Sequence, residues 1–186
     1  MDVVELHQRT TDNFIRLVNE VGPEQWSAPT PCSDWDVRAL VNHIVGEERW
    51  TVPLMEGKTI ADVGDSLEGD LLGDDPAGAA TAAARAAQRA AEEPITTVHL
   101  SYGDEDASEY LRQLVADHLI HGWDLAAAIG SDAGMDPEVV DEVASWYAER
   151  EDLYRSAGAV ADRVDGFANP ADALVGAFGR DPRWKP

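Results

Sequence analysis

Apolar positions recur with helical spacing over residues 3–21, at Val3, Leu6, Phe14, Leu17 and Val21 with Thr10 completing the stripe, and Gly22-Pro23 closes the pattern. This predicts a first long helix. Residues 26–35 follow the turn-forming Pro23 and contain Pro29 and Pro31, so an ordered loop is expected there. Ser33, with Asp36 three residues on, reads as an N-cap opening a second helix that runs to about Met55, with Pro53 near its end. Residues 64–78 are rich in Gly and Asp and read as a solvent-facing connection. An alanine-rich third helix is expected from about Pro76 to Glu93, stopped by Pro94. The β-branched residues 95–100 suggest a short strand or extended link. A fourth helix spans about 108–129 and ends at Gly130. A fifth starts at Pro137 and reaches about Ser156, offering Val139, Val140, Val143, Trp146, Tyr147 and Leu153 for packing. Residues 158–186 read as loop with one short helix near 171–178. No repeat or low-complexity linker divides the chain, so the expectation is a single all-α domain over residues 1–186: a bundle of four or five helices with a small irregular cap.

The fourth helix departs from this pattern. Asp117 and His121, four residues apart, share a face with Tyr110, Leu114, Leu125 and Ala128, so two polar groups lie within an apolar stripe. Burying an unpaired carboxylate costs several kcal/mol, and a divalent metal would supply the missing partner. A third ligand must then come from a facing helix, and His43, midway through the second helix, is the candidate. Two His and one carboxylate match the three-ligand pattern of catalytic zinc with a fourth position open; nickel, iron and manganese also suit the set. From spacing alone alternatives stay open. His118 can replace Asp117 as a ligand, and Asp117 can pair with Arg112 instead. Glu47, four residues after His43, can be a base, an added ligand or, on composition, a solvated surface residue. Asp124, three residues after His121, can orient that imidazole. His7 and His99 sit in no motif.

Composition narrows the function classes. The 186-residue chain carries 36 acidic against 14 basic residues, a net charge of −22, so phosphate backbones and anionic lipid surfaces are repelled; neither a nucleic-acid nor a membrane partner is expected. Hydrophobic residues make up 44% of the chain, a value for globular proteins, yet no apolar run approaches a membrane span. The start, Met1-Asp2-Val3-Val4-Glu5, lacks the basic and apolar segments of a signal peptide, and the lone Cys32 forms no internal disulfide; a cytoplasmic location is expected. No glycine-rich phosphate loop or Gly-x-Ser-x-Gly elbow occurs, and Cys32, between Pro31 and Ser33, has no evident base, so it reads as a packed loop cysteine.

Three motifs occur in order: Pro29-Thr30-Pro31-Cys32-Ser33-Asp34-Trp35-Asp36 leading to Asn42-His43, then Asp117-His118-Leu119-Ile120-His121-Gly122-Trp123-Asp124, and finally Phe178-Gly179-Arg180-Asp181-Pro182-Arg183-Trp184. Together they resemble the actinobacterial metal-binding proteins related to the N-terminal domain of mycothiol-dependent maleylpyruvate isomerase, within the DinB-like superfamily. The resemblance covers nearly the whole chain. It implies an up-down-down-up four-helix bundle holding one divalent metal, most simply zinc, through His43, Asp117 and His121, with His118 a neighbour of the site. In the isomerase the carboxylate is Glu, where this chain has the shorter Asp117. The isomerase also carries a further C-terminal domain, whereas this sequence ends at Pro186, so isomerisation of maleylpyruvate is not the expected activity. What the resemblance implies is a thiol transferase or isomerase in which the metal activates a low-molecular-weight thiol, mycothiol, against a small electrophile. The alternatives are a non-catalytic metal-binding or interaction bundle, with a homodimer as one assembly, or a metal-dependent hydrolase.

Overall fold

Asp2 caps the first helix, its carboxylate accepting from the Val4 amide, and α1 runs Val3–Glu20. The computed structural model describes residues 1–93 and 95–186. A 3-10 turn at Pro23–Gln25 leads through the proline loop to α2, Val37–Met55. The short α3, Ile60–Val63, precedes α4, Pro76–Ala91. An antiparallel hairpin follows, β1 (Thr97–Leu100) against β2 (Gly103–Asp106), with Val98 opposite Glu105 and Leu100 opposite Gly103. Gly103 has φ 132°, which only glycine adopts readily at the tight turn. Then come α5 (Ala107–Ile129), α6 (Pro137–Ala148), α7 (Glu151–Ser156) and α8 (Pro170–Ala177).

Four of these helices pack as a closed ring: α1 on α5, α5 on α2, α2 on α4 and α4 on α1. α1 and α5 run the same way, His7 meeting His118 and Leu17 lying beside Gly122. α2 runs against α5, with His43 opposite Asp117 and Thr51 opposite Tyr110. α4 runs against α1, Arg85 pairing with Asp12 and Gln88 reaching the carbonyl of Gln8. α2 lies beside α4 in the same direction, Val52 sharing a groove with Ala83 and Met55 one with Ala90. The small buried residues Ala80, Ala83, Ala84, Ala87 and Ala91 on α4 let helices approach closely. Phe14, Leu17, Leu40, Ile44 and Leu125 fill the centre, each fully buried side chain of this size contributing about 1.5–3 kcal/mol. A second cluster joins α5 to the C-terminal helices, where Tyr147 and Phe178 stack with ring centroids 4.0 Å apart. Among the described residues no helix is long and apolar enough to cross a membrane.

The chain is helical as expected, and the departures have local causes. The N-cap of α2 is Asp36, not Ser33: a bridge between Pro29 and Asp36 and the bond from Val37 N to Ala28 O keep the chain extended up to Asp36. The Asp36 carboxylate then accepts from Ala39 N at 2.8 Å. The third helix ends at Ala91, short of Glu93, and the stop expected at Pro94 lies outside the described residues. The fifth helical pattern is broken in two after Ala148. There Arg150 leaves helical geometry and bonds Glu109 on α5 at 2.7 and 3.0 Å and the Trp146 carbonyl at 3.0 Å, tying the break to the neighbouring helix. β2 was not expected, since Gly-Asp-Glu-Asp has low strand propensity; pairing with β1 supplies what the segment lacks.

Candidate metal centre

His43 reaches across from α2 so that its Nε2 lies 3.1 Å from Asp117 Oδ2, while His121 Nε2, one turn further along α5, lies 3.4 Å from Asp117 Oδ1. One ligand atom from each of the three residues falls within 4.8 Å of the others. The two imidazoles meet edge to face at 5.2 Å. Trp35, delivered by the proline loop, lies against both rings, its centroid 4.6 Å from His43 and 5.3 Å from His121. The Thr30 hydroxyl, shared between the Trp35 carbonyl at 2.8 Å and the Cys32 carbonyl at 3.0 Å, holds that loop in place.

Beneath His121, Asp124 is completely buried and accepts from Nδ1 at 3.0 Å, which leaves Nε2 free to face Asp117. Arg180 caps this carboxylate, with Nη2 3.1 Å from Oδ2 and Nε 3.4 Å from each oxygen, and its Nη1 donates to the Phe178 carbonyl. The set therefore fits a divalent ion: two imidazole nitrogens and a carboxylate converge, one imidazole is oriented from behind, and three protein donors leave coordination room for a further ligand.

Electrostatics fit the same picture. Burial pushes the Asp117 carboxyl up, but the charge of His121 and the hydrogen bond from His43 outweigh it and hold the group well below the usual carboxylate range. Burial opposes protonation of His43, and the Asp117 contact more than offsets it, raising its pKa. The Glu47 carboxyl, in contrast to Asp117, is pushed up, by burial and by the negative charge of Asp117.

The three residues open onto a cavity of about 300 Å³. Glu47, Tyr110 and Gln113 supply polar groups to its wall, and Ile120, Trp146, Val160 and Phe178 supply apolar ones. Burial pushes the Tyr154 hydroxyl, also on this wall, up to about 12. Arg180 lines the cavity too, so the C-terminal segment both walls the space and touches the group behind His121.

Of the residues singled out in the sequence, His43, Asp117 and His121 are brought together. Asp117 does not pair with Arg112, which lies 3.9 Å from Glu142 instead. His118 points away into the core, its Nδ1 on the Leu114 carbonyl at 2.6 Å and its Nε2 on Glu48 at 3.2 Å, so neither nitrogen is available as a ligand. Glu47 is half-buried on the cavity wall rather than a solvated surface residue. Cys32 is half-buried, and burial pushes its thiol pKa up, as a packed loop cysteine should behave.

Sequence reasoning missed Trp35, Glu48 and Arg180 as neighbours of the site. Glu48 carried a usable signal, since it falls on the stripe of Val41, Ile44, Val45 and Thr51 where an apolar residue belongs. His7 carried a weaker one on the stripe of Leu6 and Phe14; it is wholly buried, and neither ring nitrogen has a partner among the described residues.

A mainly helical protein with a two-histidine, one-carboxylate group opening on a cavity is the class these features define. The chain belongs to the DinB-like family described as the mycothiol maleylpyruvate isomerase N-terminal domain, whose family model matches residues 7–126. It is similar to two proteins of Mycobacterium tuberculosis, uncharacterized protein MT0763 of strain CDC 1551 / Oshkosh and uncharacterized protein Rv0738 of strain ATCC 25618 / H37Rv. Each is 31% identical to it, over 98% of this chain and 100% of its own length. No solved structure matches the chain significantly. The family match contains His43, Asp117 and His121, whereas Trp146, Tyr154, Phe178 and Arg180 lie beyond it.

Proposed function

We propose that this protein is a metal-dependent thiol transferase or isomerase in which His43, Asp117 and His121 hold one divalent cation, zinc in first place, and the adjoining cavity takes a low-molecular-weight thiol such as mycothiol together with a small electrophile. The observation that carries this reading is the convergence of three ligand atoms within 4.8 Å of one another at the wall of a cavity of about 300 Å³. A purely structural metal would be enclosed by four protein ligands; a three-donor set facing a cavity favours chemistry.

Bound there, a divalent ion would act as a Lewis acid that lowers the pKa of a thiol beside it. The chain's own residues do the rest. Asp124 fixes the tautomer of His121, Trp35 holds both imidazoles against rotation, and the apolar wall of Trp146, Val160 and Phe178 excludes water. The Glu47 carboxylate, kept basic by burial and by Asp117, accepts the thiol proton at an Oε atom. The sulfur electron pair then forms a bond to one carbon of an activated double bond, the π bond breaks as its electron pair moves to the neighbouring atom, and that atom takes the proton back from Glu47.

The same reading takes residues 1–186 as one DinB-like domain in the cytoplasm, with the ring of α1, α5, α2 and α4 as an up-down-down-up bundle. The helix directions derived from their paired residues support that arrangement. The test is metal content by plasma mass spectrometry on wild type, His43→Ala and His121→Ala, followed by incubation of loaded protein with mycothiol and model electrophiles. A single equivalent per chain, lost in both variants, and thiol conjugation above the metal-free control are expected. Metal retained in full by either variant overturns the ligand set, and no conjugation with any electrophile overturns the transferase reading.

A further inference from the structure

Behind the cavity, on the inward side of the same helices, lies a polar layer that the proposed chemistry does not use. Glu48 on α2 and His118 on α5 have side chains 1% and 0% exposed, and Glu48 Oε1 lies 3.2 Å from His118 Nε2. His118 Nδ1 is committed to the Leu114 carbonyl at 2.6 Å, which makes that nitrogen the donor and fixes the ring. The same layer holds buried polar atoms with no partner among the described residues: Glu48 Oε2, both ring nitrogens of His7 and the Thr11 hydroxyl. His7 and Phe14 on α1 close over the His118 ring, at 5.6 and 6.1 Å between centroids.

Stability does not account for this layer. A buried charged or polar pair gains little or nothing over well-packed hydrocarbon, and here it leaves neighbours unsatisfied besides. What a directional contact does provide is register, since sliding one helix past another breaks it, whereas apolar packing tolerates the slide. Its place in the fold matters for that reason. Glu48 is five residues from His43 on α2, and His118 is the residue next to Asp117 on α5, so the pair joins the two helices whose relative position determines whether His43 meets Asp117.

We propose that Glu48 and His118 are positioning residues of the metal centre: their hydrogen bond sets α2 against α5 in the register that brings His43 to Asp117 and His121. This rests on the metal-binding reading above, and it assigns a role to residues that touch neither metal nor cavity. A pair that acts through the ligands shows itself in metal affinity and coordination geometry separately from fold stability.

The test uses the full chain and three variants: Glu48→Leu combined with His118→Leu, Glu48→Gln, and Glu48→Asp. Cobalt and zinc dissociation constants are measured by chelator competition, the cobalt visible spectrum reports geometry, and urea unfolding of metal-free protein reports stability. The apolar double variant is expected to unfold at no lower urea concentration than wild type, yet to bind metal about ten- to a hundredfold more weakly with an altered cobalt spectrum. Glu48→Gln, which keeps a hydrogen-bonding group of the same length, is expected to stay near wild type in both. Glu48→Asp is too short to keep the bond without a helix shift; it is expected to weaken metal binding and decides the matter if the double variant does not fold. Wild-type affinity and spectrum in the double variant, or in Glu48→Asp where the double variant does not fold, overturn the positioning role while leaving the metal site standing. Failure of wild type itself to bind either metal overturns the metal reading, and this role with it.

Discussion

Arg180 reaches back across 56 residues of chain to place its guanidinium 3.1 Å from Asp124, the buried carboxylate that accepts from His121 Nδ1. This contact couples the C-terminal segment to the candidate metal centre, and removing it exposes both roles of Asp124. Arg180→Ala takes the guanidinium away from a carboxylate with no exposure, and breaking such a buried pair costs about 3–5 kcal/mol. Urea unfolding should show a loss on that scale. Metal affinity should fall about ten- to a hundredfold, as for other groups that orient ligating imidazoles. Unchanged affinity would show that the ring is held by packing alone.

His7 makes acid stability a second test. It is wholly buried, and burial, helped by the nearby charge of His118, lowers its pKa to about 3 from an ordinary 6.5. Below pH 6.5 the unfolded chain takes up a proton that the folded one refuses. The unfolded state therefore binds more protons, and stability falls as pH drops from 6.5 towards 3, by up to about 1.4 kcal/mol per pH unit from this group. His7→Leu should flatten that part of the stability profile. If the wild-type and His7→Leu profiles run parallel from pH 6.5 to 4, His7 is not the group responsible.

The same substitution has a sign at neutral pH. Both His7 ring nitrogens lack partners among the described residues, and an unsatisfied buried polar group costs about 1–3 kcal/mol. Leucine at that position should raise the unfolding midpoint at pH 7.5. A lower midpoint would mean that the imidazole has partners in solution, ordered water first among them.

Gly122, on α5 one residue after His121, tests the packing of α1. A Cβ there would meet Leu17 Cδ1 at 3.6 Å and Phe14 Cδ2 at 3.9 Å, ordinary contact distances. Gly122→Ala should therefore stabilise the helix by about 0.5–1 kcal/mol, the usual mid-helix gain. Gly122→Leu must displace Leu17 or Phe14 from a filled core and should destabilise by about 1–3 kcal/mol.

Metal loading should stabilise the fold by mass action. A ligand that binds only the folded chain adds about 2.7 kcal/mol at a hundredfold excess over its dissociation constant. A zinc-dependent rise in melting temperature is expected in wild type and absent in His121→Ala. An equal rise in both would place the bound metal elsewhere.

Much of this protein was legible along the chain because the relevant physics is local. The spacing of Leu6, Phe14 and Leu17, of Leu40 and Ile44, and of Leu114 and Leu125 defines helices whose apolar faces must be buried together. Asp117 and His121 were visible for the same reason: a carboxylate and an imidazole one turn apart on an apolar face signal an unmet need for a partner. His43 was visible only as a candidate from a facing helix. The tertiary structure decided the rest, because those features depend on groups far apart in sequence. It turned His118 inward to Glu48, made Glu47 part of a cavity wall, and set Trp35 against both imidazoles. It also split the fifth helical pattern, where Arg150 is drawn to Glu109, and brought Arg180 to Asp124. Periodicity tells which face of a helix is buried, since that depends on neighbours three and four residues away. Which partner meets that face is settled only when the helices pack, and there directional contacts between distant side chains choose among arrangements that hydrophobic burial alone leaves nearly equal.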